Sequence, residues 1–400
     1  MNLCAKCGSC TSVCPVYRVS GRESDTARGK LHLLDKLADS PHSPEYREIF
    51  SRCLLCGACR QVCPHGLDLP ALVTGARADF SRLTGSGAFA KLLATSCLAH
   101  PALLAGLADC LKLTGPLLRR LPPDSGLRLK LGLLLEPQSG EEESRPPPSS
   151  KTHAPDGVAI FSGCLARHLR PGIVAAAVNL LNATGPAAPY LPAGQNCCGL
   201  ATFSAGNREE ARRLARRNLD AFAASSGPVV TPCGSCYSHL LHYPELLADD
   251  PEYRPRAAAF AGRLREMSEH LAAAGNIACP AERGQDARPL RVFYHDPCHL
   301  RFKAGLKEAP RQLLRGKPGV VLVELPAGPR CCGLGGTFNL AHPDLSHRIG
   351  VGLAEEIVAL TPDLVVTSCS GCLIQLQQEL AGLRADIRIL PLAEFLDMPR

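Results

Sequence analysis

Gly163-Cys164, Asn196-Cys197-Cys198-Gly199 and Cys233-x-x-Cys236 form a series of cysteines that returns as Pro297-Cys298, Arg330-Cys331-Cys332-Gly333 and Cys369-x-x-Cys372. The first three cysteines recur at an offset of 134 residues and the last two at 136. Self-similarity at a fixed spacing marks a duplicated unit. Each copy follows one local pattern. A short apolar strand (158–161 or 291–294) runs into the first cysteine, a helical stretch follows, and the paired cysteines sit at a Gly-rich turn. Another helix then leads to a second buried-type strand (228–230 or 364–366) that ends in the Cys-x-x-Cys. Strands alternating with helices predict two parallel α/β modules, 158–287 and 288–400, with cysteines at strand ends where such sheets place their sites.

Ahead of the duplication lie two further cysteine runs, Cys4-x2-Cys7-x2-Cys10-x3-Cys14-Pro15 and Cys53-x2-Cys56-x2-Cys59-x3-Cys63-Pro64. Both match the bacterial [4Fe–4S] run, in which three closely spaced thiolates wrap one cluster and the fourth cysteine, before proline, reaches the other. That rule assigns Cys4, Cys7, Cys10 and Cys63 to one cluster, and Cys53, Cys56, Cys59 and Cys14 to the second. Zinc also uses Cys-x-x-Cys pairs, but four ligands per ion make no use of this eight-cysteine, proline-terminated pattern. Between the runs, Asp25 and Thr26 are placed to cap a helix through Lys30, Leu31, Leu34 and Leu37 that stops at Ser40-Pro41. Residues 1–83 are therefore expected to form a helical, ferredoxin-like, two-cluster domain, and the chain as a whole belongs to the α+β / α/β class.

Residues 84–135 are Leu-rich and broken by Pro101, Pro116, Pro122 and Pro123, which predicts short helices in series. Residues 136–157 carry Glu141-Glu142-Glu143 and Arg145-Pro146-Pro147-Pro148, too polar and Pro-rich to pack, and read as a flexible linker. No window supplies the ~18 uninterrupted apolar residues of a membrane span. Leu92 to Ala108 comes nearest, but His100 and Pro101 interrupt it and it reads as packed helices.

Twenty-one cysteines in 400 residues would suggest a disulfide scaffold in a short secreted chain. This chain is long, and Met1-Asn2-Leu3 leads straight into a cysteine motif with no charged and apolar leader. The expected setting is the reducing cytoplasm, with contact at most peripheral to the inner face of the cytoplasmic membrane, and there dense cysteine points to metal. The net charge of +7 sits wholly in residues 1–135, where Lys and Arg outnumber Asp and Glu by 17 to 10. Oxidised [4Fe–4S] cores with four thiolates carry roughly −2 each, so two of them cancel more than half of that excess. With no tryptophan and few aromatic residues to stack bases, nucleic-acid binding is not expected.

Five cysteines per module is one more than a cubane uses. Adjacent cysteines point in different directions along an extended backbone, so Cys197 and Cys198 suit two irons of a more open cluster. One conventional metal per module with a spare, redox-active thiol fits the count as well.

With these residues in view, the tandem CxnCCGxnCxxC modules behind a two-cluster domain resemble the cysteine-rich CCG family. That family includes the catalytic subunit of heterodisulfide reductase and the iron-sulfur subunits of glycolate oxidase and related lactate dehydrogenases. Gly163-Cys164, Asn196-Cys197-Cys198-Gly199, Tyr294-His295-Asp296-Pro297-Cys298-His299-Leu300, Arg330-Cys331-Cys332-Gly333 and Ala27-Arg28-Gly29-Lys30 look most like the glycolate oxidase type. The complete Cys369-x-x-Cys372 is similar to the heterodisulfide reductase type. The resemblance implies a partner subunit carrying FAD that oxidises glycolate or D-lactate, a quinone or soluble carrier as acceptor, and a non-cubane [4Fe–4S] cluster in one or both modules. It equally keeps in view a catalytic subunit that cleaves a disulfide at a CCG-bound cluster.

The chain shows no flavin or nicotinamide fingerprint, so FAD is expected elsewhere and the catalytic residues are unknown. His295 and His299, beside Cys298, are candidates for cofactor contact, against a structural, hydrogen-bonded role. Arg167 and His168 are weighed in the same way. Arg28 and Lys30 are candidates to offset cluster charge, against a solvated helix face. Cys97, Cys110 and Cys279 fall outside every motif and read as small buried hydrophobes. Gly333-Leu334-Gly335-Gly336 lacks the order of a phosphate-binding loop.

Overall fold

The computed structural model describes residues 4–37, 43–79, 95–96, 106, 156–185, 188–275 and 288–398. The expectations for the Leu-rich segment, most of the linker, the Ser40-Pro41 break and Cys97, Cys110 and Cys279 lie outside the described residues. No helix among the described residues is long and apolar enough to cross a membrane.

The N-terminal part is helical: Ser9–Ser12, Pro15–Ser20, Ala27–Lys36, Pro44–Ser51, Ala58–Gln61 and Leu69–Ala78. Its longer helices begin where the sequence supplies an oxygen for an orphan N–H. Thr26 accepts from Gly29 N at 3.0 Å, Ser43 from Tyr46 N at 3.1 Å, and Asp68 from Ala71 N at 3.1 Å. Tyr46, Phe50, Leu55, Leu69 and Val73 close a small apolar core beneath them.

Both modules are wholly parallel sheets with one topology. In the first, β1 (Ala159–Ile160), β2 (Val229–Thr231) and β3 (Leu264–Glu266) lie in the order β1-β2-β3, and Tyr190 bridges the free side of β1. In the second, β4 (Leu290–His295), β5 (Val320–Val323), β6 (Leu364–Thr367) and β7 (Arg388–Pro391) lie in the order β5-β4-β6-β7. Placing Tyr190 against β5 makes the two orders identical. The expected strands are present within a residue or two, and their near-continuous apolar runs suit strands buried on both faces. Val229, Val230, Val365 and Val366 are fully buried, each worth roughly 1.5–3 kcal/mol of transfer free energy.

The modules also embrace reciprocally. The first long helix of module one (Pro171–Asn182) packs on the last helix of module two (Leu392–Asp397), and the first long helix of module two (Glu308–Gly316) packs on the last of module one (Met267–Ala274). This pseudo-two-fold arrangement brings the carboxyl ends of β1, β2, β4 and β6, and hence the cysteines that follow them, to one seam.

The helical part docks over that seam. Arg77, buried, donates to the carbonyls of Phe50, Ser51 and Cys53 and, across the interface, to Ser204 O at 2.7 Å. Gly335, at positive φ, permits the close approach, since a Cβ there would meet Leu54 Cδ2 at 2.4 Å; Gly336, also at positive φ, does the same between the modules, where a Cβ would meet Ser204 Oγ at 3.1 Å. The glycine run after the second pair of cysteines is thus a packing device.

Candidate metal centres

The two N-terminal cysteine runs share a backbone as well as a spacing. Lys6 and Leu55 adopt φ of 54° and 55°, and Gly8 and Gly57 adopt φ of 82° and 84°. Positive φ at non-glycine residues is uncommon, and its repetition shows that both loops are wound into the same concave turn. Cys4, Cys7, Cys10 and Cys63 line one hollow, together with Cys59. Cys14, Cys53, Cys56 and Cys59 line a second. Cys59 borders both, so the hollows adjoin.

All ten cysteines of the two modules line a single cavity of about 210 Å³. Gly199 and Gly333, each at φ 92°, turn the chain sharply after the paired cysteines. At Gly333 a Cβ would lie 2.7 Å from Ser346 O, so only glycine fits. Sulfurs approach one another within each module: Cys164 and Cys197 at 3.5 Å, Cys332 and Cys372 at 3.5 Å, Cys298 and Cys331 at 3.9 Å. Cys233 and Cys369 meet between the modules. Leu54, from the second N-terminal loop, reaches into the cavity wall, and Cys56 shares an apolar cluster with Cys331 and Cys298. Four groups of thiols therefore stand in a row. The Cys4 group comes first, then the Cys53 group, then module two, then module one.

The eighteen described cysteines are all free thiols. Neighbouring thiols, and then burial, push Cys198, Cys236, Cys332 and Cys372 well above the ordinary thiol range. Burial foremost drives Cys56 up too and raises Cys59 to about 12. So dense a set of sulfurs cannot ionise together without a compensating positive charge, which an iron core supplies. Donor type, spacing and need for charge all fit iron-sulfur clusters.

The other candidates divide. Lys30 does not lie on a solvated helix face: it is fully buried, bonded to Ser24 O at 3.2 Å and Asp25 O at 2.8 Å, with its charge felt by Cys53 and Cys14. Arg28 leans over the first hollow, paired with Glu23 at 2.7 Å and donating to Lys6 O at 3.3 Å. His295 Nε2 is buried and unpartnered, and a ring nitrogen lies within 4.8 Å of the Cys332 and Cys372 sulfurs. His299 lines the cavity and its Nδ1 lies 3.2 Å from Ser235 Oγ. Its Nε2 is buried and makes no hydrogen bond of normal geometry. Desolvation lowers these histidines to about 4 and about 3, so both rings are neutral. Arg167 and His168 do not line the cavity. Ser235, Leu54 and Arg77 were not singled out by the sequence. Ser235 alone left a trace there, as a hydroxyl between two cysteines.

The comparisons agree with this architecture. A 4Fe-4S dicluster domain matches residues 1–67, and the CCG cysteine-rich domain matches twice, at residues 158–241 and 292–377. The chain is 31% identical to the probable glycolate oxidase iron-sulfur subunit of Bacillus subtilis (strain 168), over 98% of this chain and 92% of that one. It is 26% identical to the glycolate oxidase iron-sulfur subunit of Escherichia coli (strain K12), over 93% and 88% of the two chains. Lactate utilization protein A of Exiguobacterium sp. is 30% identical over 60% of this chain and 96% of its own. A hypothetical protein from Helicobacter pylori, of known crystal structure, shares the fold at a TM-score of 0.51 and 11% identity, covering 93% of this chain and 67% of its own. With one relative similar along nearly its whole length and every cysteine motif inside a matching domain, the chain belongs to the glycolate oxidase iron-sulfur subunit family of iron-sulfur, electron-transferring oxidoreductase subunits.

Proposed function

We propose that this chain is the electron-carrying subunit of a FAD-linked 2-hydroxy-acid dehydrogenase, acting on glycolate or D-lactate, with a quinone or a soluble carrier as final acceptor. The observation that carries this reading is the unbroken row of four thiol groups. In it Cys4, Cys7, Cys10 and Cys63 hold one [4Fe–4S] cluster, and Cys53, Cys56, Cys59 and Cys14 the next. Cys298, Cys331, Cys332, Cys369 and Cys372 hold a third cluster, and Cys164, Cys197, Cys198, Cys233 and Cys236 a fourth, both of the open, non-cubane kind. Such clusters supply one-electron conduction, the step needed between a two-electron flavin donor and the acceptor. The protein's own work is to order the sites, bury them and tune them. Cys7 is the exposed member of the row among the described cysteines, so the first site is where a partner approaches.

Glycolate or D-lactate should reduce an artificial acceptor when this chain is purified together with its native partners, a flavin should co-purify, and the chain's visible absorbance should bleach. Absence of a flavin partner and of hydroxy-acid activity would sink the reading. A second reading, catalytic cleavage of a disulfide, is favoured by one observation: all ten module cysteines face the same cavity. Disulfide cleavage by the chain without any flavoprotein would establish that alternative.

A further inference from the structure

The two modules part company where they meet. Ser235, between the cysteines of module one's Cys233-Gly234-Ser235-Cys236, places Oγ 3.1 Å from Sγ of Cys369, which belongs to module two. Its other neighbour is His299 Nδ1, at 3.2 Å. We assign the tautomer with the His299 proton on Nδ1: the imidazole then donates to the hydroxyl, and the hydroxyl proton is left for the sulfur.

The duplication supplies its own control. Aligning the copies sets Ser235 against Gly371, His299 against Leu165, and His295 against Phe161. The position that mirrors the Ser235 hydroxyl therefore has no side chain to offer Cys233. Two apolar groups stand where module two has imidazoles, one of which approaches Cys332 and Cys372. His239, the one histidine in module one's Cys-x-x-Cys helix, packs against Phe203, His242 and Tyr243. These three differences make the surroundings of the module-two sulfurs the more polar, whereas module one's polar groups, Asn218 and Tyr243, are spent on the backbone carbonyls of Cys197 and Cys198.

Hydrogen bonds to cluster sulfurs tune reduction potential, because a donor stabilises the more negative, reduced state. We propose that Ser235, oriented by His299, is a positioning residue that hydrogen-bonds the Cys369 thiolate and sets the module-two cluster at a higher reduction potential than its module-one twin. The inference rests on both modules holding clusters, as proposed above. It goes further by making the twins unequal: the site beside the N-terminal domain fills first, and the far site is the low-potential end.

An EPR-monitored redox titration of the anaerobically purified full chain, driven by dithionite and mediators, tests this. Cys198→Ser and Cys332→Ser assign the two module signals. In the native chain the module-two signal should appear at higher potential. Ser235→Ala should weaken reduction of that cluster alone by about tenfold, or about 59 mV for a one-electron couple, and Ser235→Thr should restore it. Two module clusters that titrate together, or a Ser235→Ala shift in both or in neither, would overturn the proposal. Hydroxy-acid turnover plays no part in the titration, so loss of the dehydrogenase reading leaves this result standing on its own.

Discussion

Cys56 and Cys331, 275 residues apart in sequence, are near neighbours in space, joined in one apolar cluster with Leu54, Phe338 and Ile349. Each belongs to a different cysteine motif, so this contact links the ferredoxin-like part to the duplicated part. It also fixes the order of the sites, because a module-two sulfur packs against an N-terminal one, whereas module one meets that domain at Ser204, away from its cysteines. Cys332→Ser should remove about four irons per chain, leave both N-terminal EPR signals in place, and slow reduction of the module-one cluster. Iron analysis with freeze-quench EPR reads all three; an unchanged rate would show that module one is fed by another route.

Arg77 holds the N-terminal domain to module one through four backbone carbonyls, one of them across the interface. Removing the guanidinium leaves buried acceptors without donors. Arg77→Ala should therefore cost roughly 3 kcal/mol, measured by denaturant unfolding, and should expose the Cys53–Cys59 loop to thiol alkylation. A loss near zero would mean that the interface is held by apolar contact alone.

Gly333 and Gly262 differ in a way that predicts opposite outcomes. Gly333 sits at φ 92° with Ser346 O where a Cβ would be, whereas Gly262 lies in the helix Tyr253–Arg263 with nothing near. Gly333→Ala should destabilise by about 1–3 kcal/mol and lower the iron content of module two. Gly262→Ala should stabilise by about 0.5–1 kcal/mol. Thermal unfolding of both variants reads the contrast.

Glu266, at the end of β3, is buried, which raises its carboxyl from the ordinary 4.5 to about 7 against hydrogen bonds from Ser268 that favour the charge. Between those values the folded chain holds a proton that the unfolded chain has lost. Stability therefore falls as pH rises through that window, by roughly 3 kcal/mol in all. Glu266→Gln should flatten the decline in unfolding free energy between pH 4.5 and 7, and parallel curves for the two proteins would contradict the assignment.

Much of the molecule was legible in its cysteines. Their spacing in Cys4–Cys14 and Cys53–Cys63 implied a pair of adjoining sites, and the 134-residue repeat implied two modules, because metal ligation and duplication both leave a rigid arithmetic in sequence. The strands were visible as apolar runs ending in cysteine. The relation between modules was not visible. That ten cysteines face one cavity depends on the helix pairs 171–182 with 392–397 and 267–274 with 308–316, a tertiary packing with no local signal. Lys30 was misjudged for a related reason. Periodicity identifies the helix Ala27–Lys36 but not what covers its far side, and there the ammonium is enclosed by carbonyls of Ser24 and Asp25.

The most direct measurement is iron and acid-labile sulfide in the anaerobically purified full chain, read beside its EPR spectrum. Four clusters predict about sixteen irons and sixteen sulfides per chain, with two signals of cubane type and two of another kind. About eight irons, with cubane signals alone, would contradict the account by showing that the ten cysteines of the shared cavity hold no cluster.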